Sequence, residues 1–199
     1  VRGLLYHKLF SSNLPDFQSE NVEIQAAIQQ TEQALMGYAG PKTWAIDMGF
    51  DNDDVWWEIW RHRNSRLVNR VYHMERIVEW QTASGKWEER YLDATFQYMK
   101  HLATIETELE IRLQGQKYAK RQKVSVELSA VPIRVYHPED KRQTKSVWLV
   151  RAKVLYAVGK PWILLTDWPV HTADDAVRIF RFYRRRWAVE DTFKFIKTS

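Results

Sequence analysis

Four polar residues near the end of the chain are spaced so that one face of a helix could carry them all. Tyr183, Arg186, Glu190 and Lys197 lie at offsets of 0, 3, 7 and 14. At about 100° per residue, they fall within a stripe of roughly 60°. Glu190 alone could pair with Arg186 or Lys194 at i,i+4 spacing. Because apolar residues are interleaved with the stripe, surface pairing alone explains it poorly.

A second carboxylate of interest lies far upstream, after a short apolar run. Residues 43–46 predict a buried strand, and Asp47 follows it directly. A carboxylate in apolar surroundings costs free energy unless it is paired or binds a metal ion. Asp47 and Glu190 together would suit Mg²⁺ or Mn²⁺, which prefer oxygen ligands and serve phosphodiester chemistry. Taken alone, Asp47 could be a turn residue, and Asp51 or Asp53 a helix cap.

The elements that must position these carboxylates follow an α/β pattern with a β-rich middle. Helical spacing and strand-like runs predict, in chain order, a helix over 21–37, a strand over 43–46, a helix over 55–63 and strands over 67–71 and 161–166. A long helix over 173–197, capped by Thr172, completes the pattern. Residues 76–158 are rich in Val, Ile, Thr and Trp between turn signals, which indicates several antiparallel strands.

The composition of the 199-residue chain limits the functional classes. There is no cysteine, so disulfides and thiolate metal sites are excluded, as suits a cytoplasmic protein. No apolar run approaches 18 residues, and we expect no membrane partner. The six histidines are scattered, which argues against a zinc site. The net charge of +5 is compatible with a polyanionic partner or with a plain basic surface.

The helical stripe, Tyr-x₂-Arg-x₃-Glu-x₆-Lys, resembles the YREK signature of bacterial insertion-sequence transposases with a DDE catalytic domain. The run WAIDMGFDNDDVWWEIW resembles the strand of that family that ends in the second catalytic aspartate, which corresponds to Asp47. The segments RLVNRV, PWILLTDWPV and LFSSNLPDFQSENVEI are similar to other parts of the same domain. The resemblance covers nearly the whole chain.

The resemblance implies an RNase H-like catalytic core interrupted by a β-rich insertion. The core would begin with residues 1–75, the insertion would span 76–160, and 161–199 would hold the last strand and the signature helix. It also implies metal-dependent cleavage and strand transfer at transposon ends, with Asp47 and Glu190 as catalytic metal ligands and Mg²⁺ or Mn²⁺ as cofactor. Tyr183, Arg186 and Lys197 would contact DNA phosphates. The partners would be double-stranded DNA, near the nucleoid, and a second copy of the chain in a homodimer.

The chain departs from the family pattern in two places. Met48 follows Asp47 where the family usually has Arg. The first catalytic aspartate has no counterpart, because Asp16 belongs to the segment between the first two aspartates, and the chain begins with Val1. We therefore expect a truncated transposase with little strand transfer on its own. The alternatives are an inactive DNA-binding or dimerising remnant, and an unrelated RNase H-like nuclease.

Further residues are candidates for DNA contact in addition to the helical stripe. Basic residues cluster around a hairpin-like connection and flank the stripe: Lys117, Lys120, Arg121, Lys123, Arg184 and Arg185. They would supply salt-dependent phosphate binding, although a solvated hairpin tip is an equal alternative. Related transposases stack an aromatic residue of the insertion on a flipped base, and Trp80, Trp87 and Trp148 are candidates for that role or for core packing.

Overall fold

The computed structural model describes residues 17–198, and from residue 187 onward it describes the backbone alone. The described chain contains three α-helices and eight strands. The helices are α1 (Glu20–Ala34), α2 (Asp53–Arg61) and α3 (Ala173–Thr198). The strands are β1 (Lys42–Ile46), β2 (Ser65–Arg70), β3 (Ile77–Gln81), β4 (Trp87–Tyr91), β5 (Lys100–Ile111), β6 (Lys120–Tyr136), β7 (Thr144–Val154) and β8 (Trp162–Thr166). Short 3₁₀ turns span Met48–Phe50 and Asp93–Tyr98. The predicted α/β class is therefore confirmed at this level.

All eight strands belong to one sheet. Its order is β1-β2-β8-β7-β6-β3-β4, and β5 pairs with β6 outside that path. Strands β1 and β2 run parallel, with Ile46 opposite Asn69, whereas all other pairings are antiparallel. The antiparallel strands predicted for the middle of the chain are thus confirmed. Because β8 pairs with both β2 and β7, these middle strands continue the same sheet as β1 and β2.

Helices cover both faces of the sheet around β2 and β8. Alternate residues of a strand point to opposite faces, and Leu67 and Val68 accordingly join different cores. One core packs Leu67 against Val55, Trp56 and Ile59 of α2. The other contains Val68 and Leu164, together with the α3 residues Ala176, Ile179, Phe180 and Tyr183. The result is a three-layer arrangement in which α3 lies across one face of the sheet.

Local capping explains where each helix begins. The backbone N–H of Val22 donates to Ser19 Oγ at 3.3 Å, and that of Asp54 donates to Asn52 Oδ1 at 2.8 Å. Thr172 caps α3 as predicted, because the Asp175 N–H donates to its hydroxyl at 3.2 Å. Each cap satisfies a backbone N–H that has no partner within the helix. The first helix ends at Ala34, three residues before its predicted end.

Long antiparallel strands dominate the middle of the chain. Strands β5, β6 and β7 contain 12, 17 and 11 residues. Strand β5 pairs with residues 120–130 of β6, and β7 pairs with residues 126–136 on the other side. Within the described residues, no helix is both long enough and apolar enough to cross a membrane.

Candidate metal and nucleic-acid site

Residues from three strands meet at one edge of the sheet. Asp47 directly follows β1, and Arg70 ends the parallel neighbour β2. Strand β8 is antiparallel to β2, with Leu164 opposite Arg70, so its first residue, Trp162, lies at this same edge. Carboxyl ends of neighbouring parallel strands commonly form ligand sites in open α/β sheets. The edge therefore brings a carboxylate, a guanidinium and an indole to the region beneath α3.

Helix α3 meets Asp47 through two residues of the predicted stripe. The Tyr183 hydroxyl donates to Asp47 Oδ1 at 2.9 Å. One Arg186 nitrogen lies 3.2 Å from Asp47 Oδ2. The backbone N–H of Met48 also donates to Oδ1, at 2.8 Å, which starts the 3₁₀ turn. The end of β1 and helix α3, expected from the sequence to form one site, are therefore in direct contact.

Burial and charge both act on the phenol of Tyr183. Its side chain is fully buried in the core beneath α3, where the ring of Trp162 lies 5.7 Å away, edge to face. Burial, followed by the charge and hydrogen bond of Asp47, raises the pKa of Tyr183 above its usual value of 10.0. The phenol is thus held as a hydrogen-bond donor to Asp47, whose side chain stays 34% exposed.

Asp51 fixes the other end of the turn that begins at Asp47. Its buried carboxylate accepts the backbone N–H groups of Tyr72 and His73 at 2.6 and 2.7 Å. It also accepts the side chains of Asn69 at 3.3 Å and Arg76 at 2.8 Å. The turn is thus attached to the segment after β2. Asp51 is no helix cap, since Asn52 caps α2.

A cleft of about 570 Å³ extends from this edge of the sheet. Arg70 and Trp162 line it, as do Lys160 and the turn that precedes β8. The Arg70 guanidinium lies over the Trp162 ring at 5.8 Å, and its charge also acts on Tyr183. Among the residues that the structure describes, no carboxylate forms an ion pair with Arg70. Its half-buried guanidinium therefore faces the cleft. Neither Arg70 nor Trp162 was predicted from the sequence as a site residue.

Glu190 and Lys197 lie on α3, but their side chains are outside the described part of the chain. The backbone places Glu190 four residues after Arg186, roughly 6 Å further along the helix axis. Among the described residues, no group of three or more His, Asp or Glu side chains could hold a metal ion. The chemistry of Asp47 fits a hard cation, since it offers carboxylate oxygens at a partly open position.

The remaining basic candidates are spread over the sheet and α3. Arg184 donates to Thr107 of β5 at 2.6 Å, so it connects α3 to the sheet, and Arg185 is exposed. Of the hairpin cluster, Lys117 lies in the β5–β6 connection, whereas Lys120, Arg121 and Lys123 begin β6. All four are exposed, and Arg121 pairs with Glu108 at 3.2 Å.

The three predicted stacking tryptophans have partners within the fold. Trp80 stacks on Tyr98 with a centroid distance of 3.9 Å, and the Arg134 guanidinium lies 3.8 Å from the ring of Trp87. Trp148 packs beside the core under α3 and meets His171 edge to face. Core packing, the alternative raised from the sequence, describes Trp80 and Trp148, whereas Trp87 belongs to neither hydrophobic core.

No protein-family model matches the chain, and no curated protein does so either.

Proposed function

We propose that this chain is part of a DDE transposase with an RNase H-like core, which cleaves and joins DNA by metal-dependent phosphoryl transfer. The observation that carries the proposal is the contact of Tyr183 and Arg186 with Asp47, across 136 residues of sequence in the case of Tyr183. Two segments that resemble the family, the helical stripe and the run that contains Asp47, thereby meet at one position. Their contact supports the proposal.

The roles of the residues follow from their chemistry. Asp47 and Glu190 would hold Mg²⁺ or Mn²⁺, which activates the attacking oxygen in phosphodiester chemistry. Tyr183 orients the Asp47 carboxylate through its hydrogen bond. In this structure, the Arg186 guanidinium neutralises the charge of the Asp47 carboxylate. A bound metal ion would neutralise that carboxylate instead. The guanidinium would then be available for a DNA phosphate, which it can bind with two parallel hydrogen bonds.

The aromatic partner for a flipped base is Trp162 in this proposal. It lines the cleft and contacts Tyr183. The residue is 7% exposed and its ring stacks on Phe180 at 5.9 Å, so a base would need the part of the ring that the Arg70 guanidinium now covers. Stacking on an indole does not depend on which base is present. Arg70, which lies over the same indole, would contact the adjoining phosphate.

A second candidate function is DNA binding without turnover. The observation in its favour is that Arg186 already pairs with Asp47 Oδ2, which competes with metal binding at that oxygen. In this alternative, the chain would bind transposon ends or a second copy and would inhibit an active relative. The two candidates differ in metal affinity, and they share DNA binding through Arg186.

Binding of a duplex by variants of Arg186 tests the part that both candidates share. We expect Arg186→Ala to weaken binding of a labelled duplex. The slope of log affinity against log salt concentration should become shallower by about 0.9, the value for one lost phosphate contact. Arg142→Ala is the matched control. Its side chain is 91% exposed, and it lies in the β6–β7 connection at the far end of β7.

Two results would contradict the assignment of Arg186. One is an unchanged salt slope for Arg186→Ala. The other is an equal loss of affinity in Arg186→Ala and Arg142→Ala, because a general charge effect would then explain both. Thermal unfolding of each variant shows whether the fold is retained.

A further inference from the structure

Tyr156 has a backbone conformation that a bulky residue rarely adopts. Its φ angle is +62°, in the left-handed region, where Cβ approaches the following carbonyl oxygen. Packing does not compensate for this strain, because the side chain is 74% exposed and belongs to neither hydrophobic core. Strained residues of this kind are concentrated at functional sites. The strain at Tyr156 therefore indicates that the exposed ring has a function.

The turn that carries Tyr156 is held firmly in place. The N–H of Gln114 donates to the Tyr156 carbonyl at 2.7 Å, and the N–H of Val158 donates to the Arg112 carbonyl at 2.8 Å. These bonds attach the turn between β7 and β8 to the connection between β5 and β6. The ring is thus displayed from a backbone that is fixed on both sides.

The same turn lines the cleft beside the Asp47 site. Tyr156, Lys160, Arg70 and Trp162 all belong to the lining of this cleft. The Trp162 ring in turn contacts Tyr183, the hydrogen-bond partner of Asp47. A chain-like ligand bound at Asp47 could therefore follow the cleft from Trp162 to Tyr156.

The charges around the cleft favour an anionic ligand. Its described lining contains three cations, Arg70, Lys153 and Lys160, and one carboxylate, Glu110. Lys153 is partly neutralised by Glu127 at 3.8 Å. An exposed aromatic ring beside cations is typical of surfaces that bind unpaired nucleic-acid strands, because bases stack on the ring while the cations contact phosphates.

We propose that Tyr156 is a stacking platform for a base of an unpaired DNA strand that leaves the Asp47 site along this cleft. The inference rests on the proposed function in one respect, namely that DNA is the ligand of the site. It adds a binding residue outside the helical stripe and outside the Trp162 position. It also accounts for the strain, since a residue with a smaller side chain would suit the turn better.

The test separates binding from stability. Tyr156→Asn removes the ring and introduces a residue that tolerates the left-handed region. Tyr156→Phe keeps the ring. Tyr38→Asn is the control, because Tyr38 is 55% exposed and precedes β1, at the opposite end of that strand from Asp47. Affinity is measured in EDTA, by anisotropy, for a labelled single strand of about 20 nucleotides, sized to exceed the span of one binding fold, and for the duplex of the same sequence.

We expect Tyr156→Asn to bind the single strand at least about fivefold more weakly, the effect of losing one base–aromatic stack. The melting temperature should stay the same or rise, because the strain is relieved. Tyr156→Phe and Tyr38→Asn should bind the single strand as the wild type does. Binding of the duplex, in which the bases are already stacked, should change less than about twofold for Tyr156→Asn.

Three results would overturn the inference: wild-type affinity of Tyr156→Asn for the single strand, an equal loss on the duplex, or no binding of either DNA by the wild type. Failure of the proposed function looks different. If Arg186→Ala weakens duplex binding while Tyr156→Asn has no effect, the inference is wrong and the proposed function stands. If Asp47 binds no metal ion but the Tyr156 result holds, the inference stands as a DNA-binding property.

Discussion

The hydrogen bond between Tyr183 and Asp47 connects α3 to the end of β1, and its removal should destabilise the fold by a measurable amount. Tyr183→Phe deletes the hydroxyl and keeps the buried ring. A hydrogen bond to a charged group contributes about 1.5–3 kcal/mol. Because Asp47 is 34% exposed, water can replace part of the lost bond, and we expect a loss of about 1–2 kcal/mol. For a domain of this size, that lowers the melting temperature by about 2–8 °C.

The pH dependence of the same pair gives a second, independent readout. The pKa of Tyr183 is raised in the folded protein by burial and by Asp47, whereas the unfolded phenol titrates near its usual value of 10.0. A raised folded pKa contributes stability that is fully present below pH 10 and is lost as the pH rises through the folded pKa. The stability advantage of the wild type over Tyr183→Phe should therefore be constant from pH 7 to 9 and should decline above pH 10.

Thermal unfolding at a series of pH values measures both effects. Tyr118→Phe is the matched control, because the Tyr118 side chain is 70% exposed. This substitution should change the melting temperature by no more than about 1–2 °C. Two results would refute the reasoning. One is a melting temperature for Tyr183→Phe equal to that of the wild type at pH 7. The other is a wild-type advantage that persists unchanged beyond pH 11.

Two further predictions concern buried carboxylates that hold elements together. Asp51→Asn should lower the free energy of unfolding by about 3 kcal/mol or more, because it breaks the buried ion pair with Arg76. Urea denaturation measures this change. Asp54→Asn, the control at an exposed carboxylate, should lower the free energy of unfolding by less than about 0.5 kcal/mol. Glu32 accepts hydrogen bonds from Lys42, Ser65 and Trp44; burial acts to raise its pKa, but these bonds outweigh burial and lower the pKa below 4.5. The stability that Glu32 contributes is therefore present above about pH 4.5 and is lost as the pH falls through the folded pKa. The free energy of unfolding of Glu32→Gln should consequently depend less on pH below pH 4.5 than that of the wild type. Equal acid sensitivity of both proteins would contradict this.

Much of the local structure was predictable because it depends on near neighbours in the sequence. Apolar spacing and the Thr172 cap predicted α3. The apolar run before Asp47 predicted the strand β1, although β1 is half-buried rather than buried, because it lies at the end of the described strand order. The resemblance predicted one metal site of Asp47 and Glu190 on a strand end and a helix. The structure brings α3 to Asp47 through Tyr183 and Arg186, and the side chain of Glu190 lies outside the described part of the chain.

The rest of the site could not be predicted, because it depends on pairings between distant strands. Arg70 and Trp162 share one edge only because β8 runs antiparallel to β2, with Val68 opposite Thr166. Nothing in either strand specifies that neighbour. Asp51 resembled a helix cap by position, yet its donors come from the backbone after β2, which closes on it only in the folded chain.

The central claim is that Asp47 and Glu190 form one metal site, and a calorimetric titration with Mn²⁺ tests it most directly. We expect the wild type to bind Mn²⁺ and Asp47→Ala and Glu190→Ala each to abolish binding. Asp54→Ala, in which an exposed carboxylate at the start of α2 is removed, should bind as the wild type does. Binding that persists unchanged in both Asp47→Ala and Glu190→Ala, or no binding by the wild type, would contradict the claim.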